Sequence, residues 1–221
     1  LTADRAAYLE WIDGLRTRFP DVLFETCSSG GMRMDYATLK HFSLVSTSDQ
    51  TDYKLYPYIS ANILLAVLPE QAAVWNYPVV GEGEIGSPLN YGVEWVKENI
   101  SDEQIVMNTV NALLGRMHLA SHIALLAPKQ FALVQEGIGY YNKLTPVKKN
   151  ALPYFPLGFT SFVSPYAACG LKTADKIYLA VWNLGGESEI CVPIPEQIHS
   201  VRVGYPQTLK TDFTFTANAL T

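Results

Sequence analysis

Hydrophobic positions keep one rhythm for the first two-thirds of the chain and another for the rest. Over residues 3–19, Tyr8, Ile12, Leu15 and Phe19 recur at helical spacing, with Asp4 near the start and Pro20 at the end, which predicts an amphipathic helix. Residues 21–27, centred on Val22-Leu23-Phe24, read as a strand running into a Ser/Gly turn. A short helix over 36–41 and a second strand over 43–48 follow. The next helix is predicted over 52–68, with Pro57 tolerated near its first turn and Pro69 stopping it. Residues 72–75 form a third strand candidate, followed by a Gly-rich loop at 81–90. Ser101-Asp102-Glu103-Gln104 has the capping-box pattern for a helix through Leu114 that Gly115 closes. A fourth strand over 116–125 and a closing helix over 128–143, with Phe131, Val134, Ile138 and Tyr141 on one face, complete this half.

Helical periodicity stops near residue 150. Short apolar runs punctuated by Pro and Gly take over, and they predict a hairpin of 176–183 with 187–194 across Leu184-Gly185-Gly186. Further strands are expected at 159–163, 201–205 and 212–216. Four strands separated by helices argue for parallel βαβ units. The expected organisation is therefore an α/β unit over residues 1–150 followed by a small antiparallel β-sandwich over 151–221, which stops in mid-pattern and is expected to be cut short.

Composition narrows the function classes. With 48% hydrophobic and 17% charged residues, the 221-residue chain is globular rather than disordered. A net charge of −5 gives no basic footprint, which argues against nucleic acid and anionic membranes as partners. The apolar run at 63–68 is far too short to span a bilayer. The first residue is Leu1 rather than Met, so any leader segment lies outside these residues. Cys27, Cys169 and Cys191 form no CxxC pair, and an odd set leaves one over from any disulfide, which suggests a reducing, cytoplasmic compartment. Cys191, in the apolar run 190–194, is expected to be a buried free thiol. His41, His118, His122 and His199 show no ligand spacing, and Gly81-Glu82-Gly83-Glu84 lacks the Gly-Lys-Ser/Thr ending of a phosphate loop, so neither a metal nor a cofactor is expected.

Two polar loops carry the candidate chemistry. The first, Cys27-Ser28-Ser29-Gly30-Gly31-Met32-Arg33-Met34-Asp35, follows a strand end, where α/β folds place ligand loops. Its small residues let backbone N–H groups approach a ligand, and Arg33 can orient a carboxylate. Read from residues alone, it is equally an ordinary strand-to-helix turn. The second, Thr47-Ser48-Asp49-Gln50-Thr51-Asp52, follows the next strand, and either aspartate could be only a helix cap. Loops at the ends of successive parallel strands converge, and small donors facing carboxylates suit glycosidic bond cleavage. Trp75 lies at a third strand end, where a core role and a substrate role are both open.

The pattern Cys-Ser-Ser-Gly-Gly-x-Arg-x-Asp followed by Thr-Ser-Asp-x-Thr-Asp resembles glycoside hydrolase family thirty-six, the bacterial and plant α-galactosidase and raffinose-pathway group. The resemblance runs from about Asp21 to Asp52. It implies a (β/α)8 barrel with a C-terminal β-sandwich, of which this chain would hold the second half of the barrel, and a retaining mechanism acting on α-galactoside oligosaccharides. By the same resemblance Asp49 is the general acid/base, and Cys27 and Gly30 line the galactose ring near its 2-hydroxyl. Ser28 and Ser29 lie within that loop, Arg33 supports it, and Asp35 and Asp52 are structural. Met32 stands where the motif has a third glycine. The family's nucleophilic aspartate, in a Lys-x-Asp context, falls before these residues, so the isolated chain is expected to be inactive, and half a barrel is expected to self-associate through its open strand edge. Two alternatives remain at this point: an α-N-acetylgalactosaminidase, and a non-catalytic carbohydrate-binding module.

Overall fold

The computed structural model describes residues 3–80, 93–210, 212–216 and 219–220. Helix α1 (Ala3–Arg18) leads to β1 (Glu25–Thr26), α2 (Tyr36–Leu39), β2 (Leu44–Ser46), α3 (Tyr56–Ile63) and β3 (Ala72–Asn76). Then come α4 (Val93–Asn99), α5 (Asp102–Leu113), β4 (Arg116–Leu119) and α6 (Pro128–Lys148). The second half holds β5 (Leu152–Tyr154), β6 (Tyr166–Lys172), β7 (Ile177–Asn183), β8 (Val192–Pro193), β9 (Phe215–Thr216) and β10 (Ala219–Leu220).

Strands β1 to β4 form one parallel sheet in sequence order. This is the arrangement that strands separated by crossover helices are bound to give. Because side chains alternate across a strand, the register sorts them by face. Val45, Ala72, Val74, Met117 and Leu119 pack with residues of the helices, and Asn76 reaches Thr109 on α5. Ser46, Trp75 and His118 meet on the opposite face. There Trp75, Arg116 and His118 stay half-buried and Glu25 is exposed. The sheet thus has one apolar face under helices and one face of polar and aromatic side chains.

Several local expectations need correction. Val22 and Leu23 are outside any strand and more than half exposed, because α1 ends in a turn closed by the Val22 N–H to the Phe19 carbonyl. The helix predicted over 52–68 is regular only from Tyr56 to Ile63. Residues after Leu119 turn away into a short 3-10 turn at Ile123–Leu125. The capping box is half made: Ser101 Oγ accepts the Gln104 N–H at 3.1 Å, but the Gln104 side chain donates to the Val80 carbonyl at 2.6 Å instead of turning back. The Gly-rich loop at 81–90 lies outside the described residues.

The hairpin of the second half sits one strand earlier than the sequence suggested. β6 and β7 pair antiparallel from Tyr166↔Asn183 to Lys172↔Ile177, and β5 adds to the far side of β6. Residues 187–194 contribute only β8, which joins β10 and β9 in a second small sheet. Cys191 is exposed, and the buried thiol is Cys169 on β6, which burial pushes up to about 12.

One apolar cluster runs through both halves. Val45, Ala61, Leu64, Ala72, Leu113 and Leu144 share it with Ala167, Cys169, Leu171 and Trp182. Helices α5 and α6 meet at Gly137, where any side chain would run into Thr109 Cγ2. At the end of α6, buried Lys148 donates to the Gly115 carbonyl and lies 3.9 Å from the centre of the Tyr141 ring. Burial, helped by the charge of Arg116, holds its ammonium down to about 7. Truncating Leu171 to Ala removes a fully buried side chain from the shared cluster and is expected to cost about 2–5 kcal/mol. Thermal unfolding followed by far-UV and near-UV dichroism should then shift as one transition. A separate, unshifted transition for the helical half would show that the halves do not depend on that cluster.

Candidate active site

The two polar loops meet through backbone alone. The Gly31 N–H donates to the Ser46 carbonyl at 2.8 Å. A Cβ placed on Gly30 would lie 2.5 Å from Asp49 N and from Ser48 Cα, and one on Gly31 would lie 2.7 Å from the Thr47 carbonyl oxygen. Three successive residues, Ser29, Gly30 and Gly31, adopt positive φ of 48°, 58° and 80°. That run is cheap for glycine and costs a serine roughly 1 kcal/mol. Gly30 is therefore required for close approach to the Asp49 loop, whatever else it contacts. Met32, at the position of the family's third glycine, lies outside the positive-φ run with its side chain 74% exposed, so this backbone does not need glycine there.

The far end of the loop is pinned by Asp35. Its carboxylate caps α2, accepting the Thr38 N–H at 3.1 Å and the Thr38 hydroxyl at 2.9 Å, and it pairs with Arg5 on α1. Partial burial works against its ionisation, but the hydrogen bonds from Arg5 and Thr38 outweigh it and bring the carboxyl down to about 2. Cys27 and Ser29 are exposed and Ser28 is half-buried. Arg33 is exposed and makes no hydrogen bond or ion pair among the described residues.

Asp49 caps no helix. Its side chain is exposed and takes no hydrogen bond or ion pair among the described residues. The turns that lead into α3 use other groups: Ser48 Oγ accepts the Gln50 N–H at 3.0 Å, Asp52 Oδ1 accepts the Lys54 N–H at 2.8 Å, and the Asp52 carbonyl accepts the Tyr56 N–H. Local structure thus holds the segment and leaves the Asp49 carboxylate unengaged.

Two tyrosines that sequence reading did not single out lie within reach of its charge. Tyr56, the first residue of α3, is buried and accepts the Trp75 N–H at 3.2 Å. Burial above all raises its phenol, with the charge of Asp49 adding to the effect against the pull of the Trp75 and Thr47 donors. Tyr77 is pushed up to about 12 by burial, then by Tyr56 and Asp49. Both phenols stay neutral at physiological pH. The available signals were the Trp75-x-Tyr77 alternation at a strand end and a tyrosine directly before Pro57. A hollow of about 630 Å³ lies at the other end of the sheet, where Lys40, Leu65, Glu70 and Gln71 line it. It holds neither loop. Among the described residues no group of three or more His, Cys, Asp or Glu could hold a metal ion, and no helix is long and apolar enough to cross a membrane.

The melibiase family model matches residues 6–59, the stretch that contains both loops. That segment is similar to the melibiase family. A probable α-galactosidase C of Aspergillus terreus is 50% identical over 104 residues, which cover 42% of this chain and 14% of that protein. In fold, the chain is similar to the galactosidase domain of an α-galactosidase–sucrose kinase, AgaSK, with a TM-score of 0.64 and 19% identity over 87% of this chain and 25% of that one. It is also similar to a family GH36 α-galactosidase, AgaA of Geobacillus stearothermophilus, solved with raffinose, with a TM-score of 0.61 and 20% identity over 84% of this chain and 22% of that one. The chain spans only a small part of the length of the relatives it matches.

Two consequences of this geometry can be measured. Gly30→Ala places a methyl group against the Ser48–Asp49 backbone at a positive φ, so it is expected to destabilise the chain by about 1–3 kcal/mol and to raise hydrogen exchange in both loops together. An unchanged melting temperature would mean that the loops are not packed on each other. For Asp35, the lowered folded-state pKa contributes stability above pH 4 that is lost as the pH falls from about 4 to about 2. Asp35→Asn should flatten that acid limb, and an unaltered pH–stability curve would remove its role as the anchor of α1 and α2.

Proposed function

We propose that the chain is the C-terminal half of a (β/α)8 barrel with its following β domain, taken from a retaining α-galactosidase in which Asp49 is the general acid/base. The observation that carries this reading is the unengaged Asp49 carboxylate, presented by a loop in which Ser48, Gln50 and Asp52 make the local hydrogen bonds, with the Gly30–Gly31 backbone packed against that loop. The half-barrel is supported by the sheet itself. Parallel sheets are normally covered on both faces, yet this one keeps an apolar face toward helices and a polar, aromatic face half open, as four of eight barrel strands would.

A retaining glycosidase needs two carboxyl groups roughly 5–5.5 Å apart, one to attack the anomeric carbon and one to protonate the leaving oxygen. Asp49 takes the second role, then withdraws a proton from the water that hydrolyses the glycosyl-enzyme. The nucleophile comes from residues beyond these 221. Cys27, Ser28, Ser29 and Gly30 edge the sugar, with Arg33 supporting the loop, and terminal α-linked galactose of melibiose or raffinose type is the substrate.

Leaving-group dependence tests the assignment. A nitrophenolate departs with little help, whereas a sugar alkoxide hardly departs without a proton. In the full-length protein Asp49→Ala is expected to lower turnover of melibiose about a hundredfold to ten-thousandfold, with a much smaller loss on the first step with an aryl α-galactoside. The aryl substrate should then show a burst that added azide relieves. Equal losses on both substrates without azide rescue would sink the acid/base assignment.

A further inference from the structure

Trp75 is the aromatic residue of β3 on the half-open face of the sheet, where its indole is hydrogen-bonded to the end of the strand that leads to Asp49. Val74 and Asn76 on either side of Trp75 point to α3 and α5, and Trp75 packs only in part against the cluster of Tyr56, Val74 and Ala112, staying half-buried. Trp75 instead shares its face with Ser46 and His118. Its indole N–H donates to Ser46 Oγ at 3.3 Å, His118 meets it edge-on at 5.0 Å and 80°, and Tyr77 lies nearly parallel at 6.1 Å and 23°. Backbone geometry holds it too, since the buried Tyr56 hydroxyl accepts the Trp75 N–H.

Ser46 is the last residue of β2, three before Asp49, so the hydrogen bond that orients the indole comes from the strand that carries the acid. The hydroxyl of Tyr77 also lies within range of the Asp49 charge. The only polar atom of the indole is thereby used inside the protein. What Trp75 has left to offer a ligand is π surface, which suits a C–H-rich face rather than a hydroxyl. A galactopyranose has such a face: its axial 4-hydroxyl leaves the hydrogens on C3, C4 and C5 together on one side of the ring.

We propose that Trp75 is a specificity-determining wall of the sugar site, stacking on the apolar face of the galactosyl ring while Asp49 addresses the glycosidic oxygen. The inference rests on the α-galactosidase reading above and adds a residue to it. Loss of the ring should weaken binding more than it slows chemistry, because stacking on the pyranose is made in the ground state and the transition state alike.

The experiment uses the full-length protein with an aryl α-galactoside as substrate and free galactose as inhibitor. Trp75→Leu is expected to raise both KM and the galactose inhibition constant about tenfold, with a smaller fall in kcat. Trp75→Phe, which keeps a ring, should recover most of the loss. Galactose titration should change the tryptophan fluorescence of the wild type, and that change should vanish in Trp75→Phe, a readout that serves even where Trp75→Leu fails to fold. An active wild type with unaltered KM and inhibition constant in Trp75→Leu, or a fluorescence change that persists in Trp75→Phe, overturns the assignment of Trp75 alone. A wild type that neither cleaves nor binds α-galactosides overturns the underlying reading instead.

Discussion

The contact between the Ser29–Gly31 turn and the Ser46–Asp49 backbone decides the rest of this site. Two main-chain segments approach so closely that neither Gly30 nor Gly31 has room for a side chain, and the Gly31 N–H closes the gap by donating to the Ser46 carbonyl. The cost is a run of three left-handed residues, one of them a serine. In return, the positions of Cys27 to Arg33 and of Asp49 are no longer independent. Asp35 fixes the other end of the same loop by capping α2 and pairing with Arg5, so α1, α2 and the ends of β1 and β2 hold a single object. A mobile loop could carry the same residue types, but it could not hold a carboxylate in place relative to a sugar.

The convergence of the two loops was legible in the sequence, since they follow successive parallel strands, but the glycines were read as room for a ligand and instead let one loop's backbone approach the other's. The parallel order of β1 to β4 was legible for a similar reason, since helix and strand periods alternate cleanly there. What failed were judgements that tertiary context overrides. Val22 and Leu23 are apolar and β-prone, yet the end of α1 turns the chain before a strand can begin. Gln104 has the right position for a capping box, but the Val80 carbonyl lies within reach and takes the amide. Asp49 itself could not be told from a helix cap by sequence, and only the local hydrogen bonds of Ser48 and Asp52 show that it caps nothing.

The β half was the least legible part, and one strand shows why. Residues of β6 read Tyr-Ala-Ala-Cys-Gly-Leu-Lys, a run poor in β-branched residues with a glycine inside it, which resembles a loop. Its small side chains are what the position demands. A Cβ on Gly170 would lie 2.6 Å from the Tyr178 carbonyl, and Ala167, Ala168 and Cys169 are fully buried between β7 and the core shared with the α/β half. Taking this strand for a loop left Ile177–Asn183 without its true partner and moved the predicted hairpin one strand on. Tight packing selected the very residues that weaken the sequence signal.

Electrostatics near Asp49 follow from the same architecture. Tyr56 and Tyr77 place two phenols around it, and burial together with the charge of Asp49 itself opposes their ionisation. The two phenols that feel the Asp49 charge are therefore neutral at working pH. They can orient a sugar or exclude water, but they cannot drive the carboxyl group back and forth between its acid and base forms. On the α-galactosidase reading that task falls to the second catalytic carboxylate, whose negative charge raises the proton affinity of its neighbour until the glycosyl-enzyme forms and then disappears into the covalent bond. On the same reading the division of labour is physical: these residues fix where the proton is delivered, and the second carboxylate fixes when it is held.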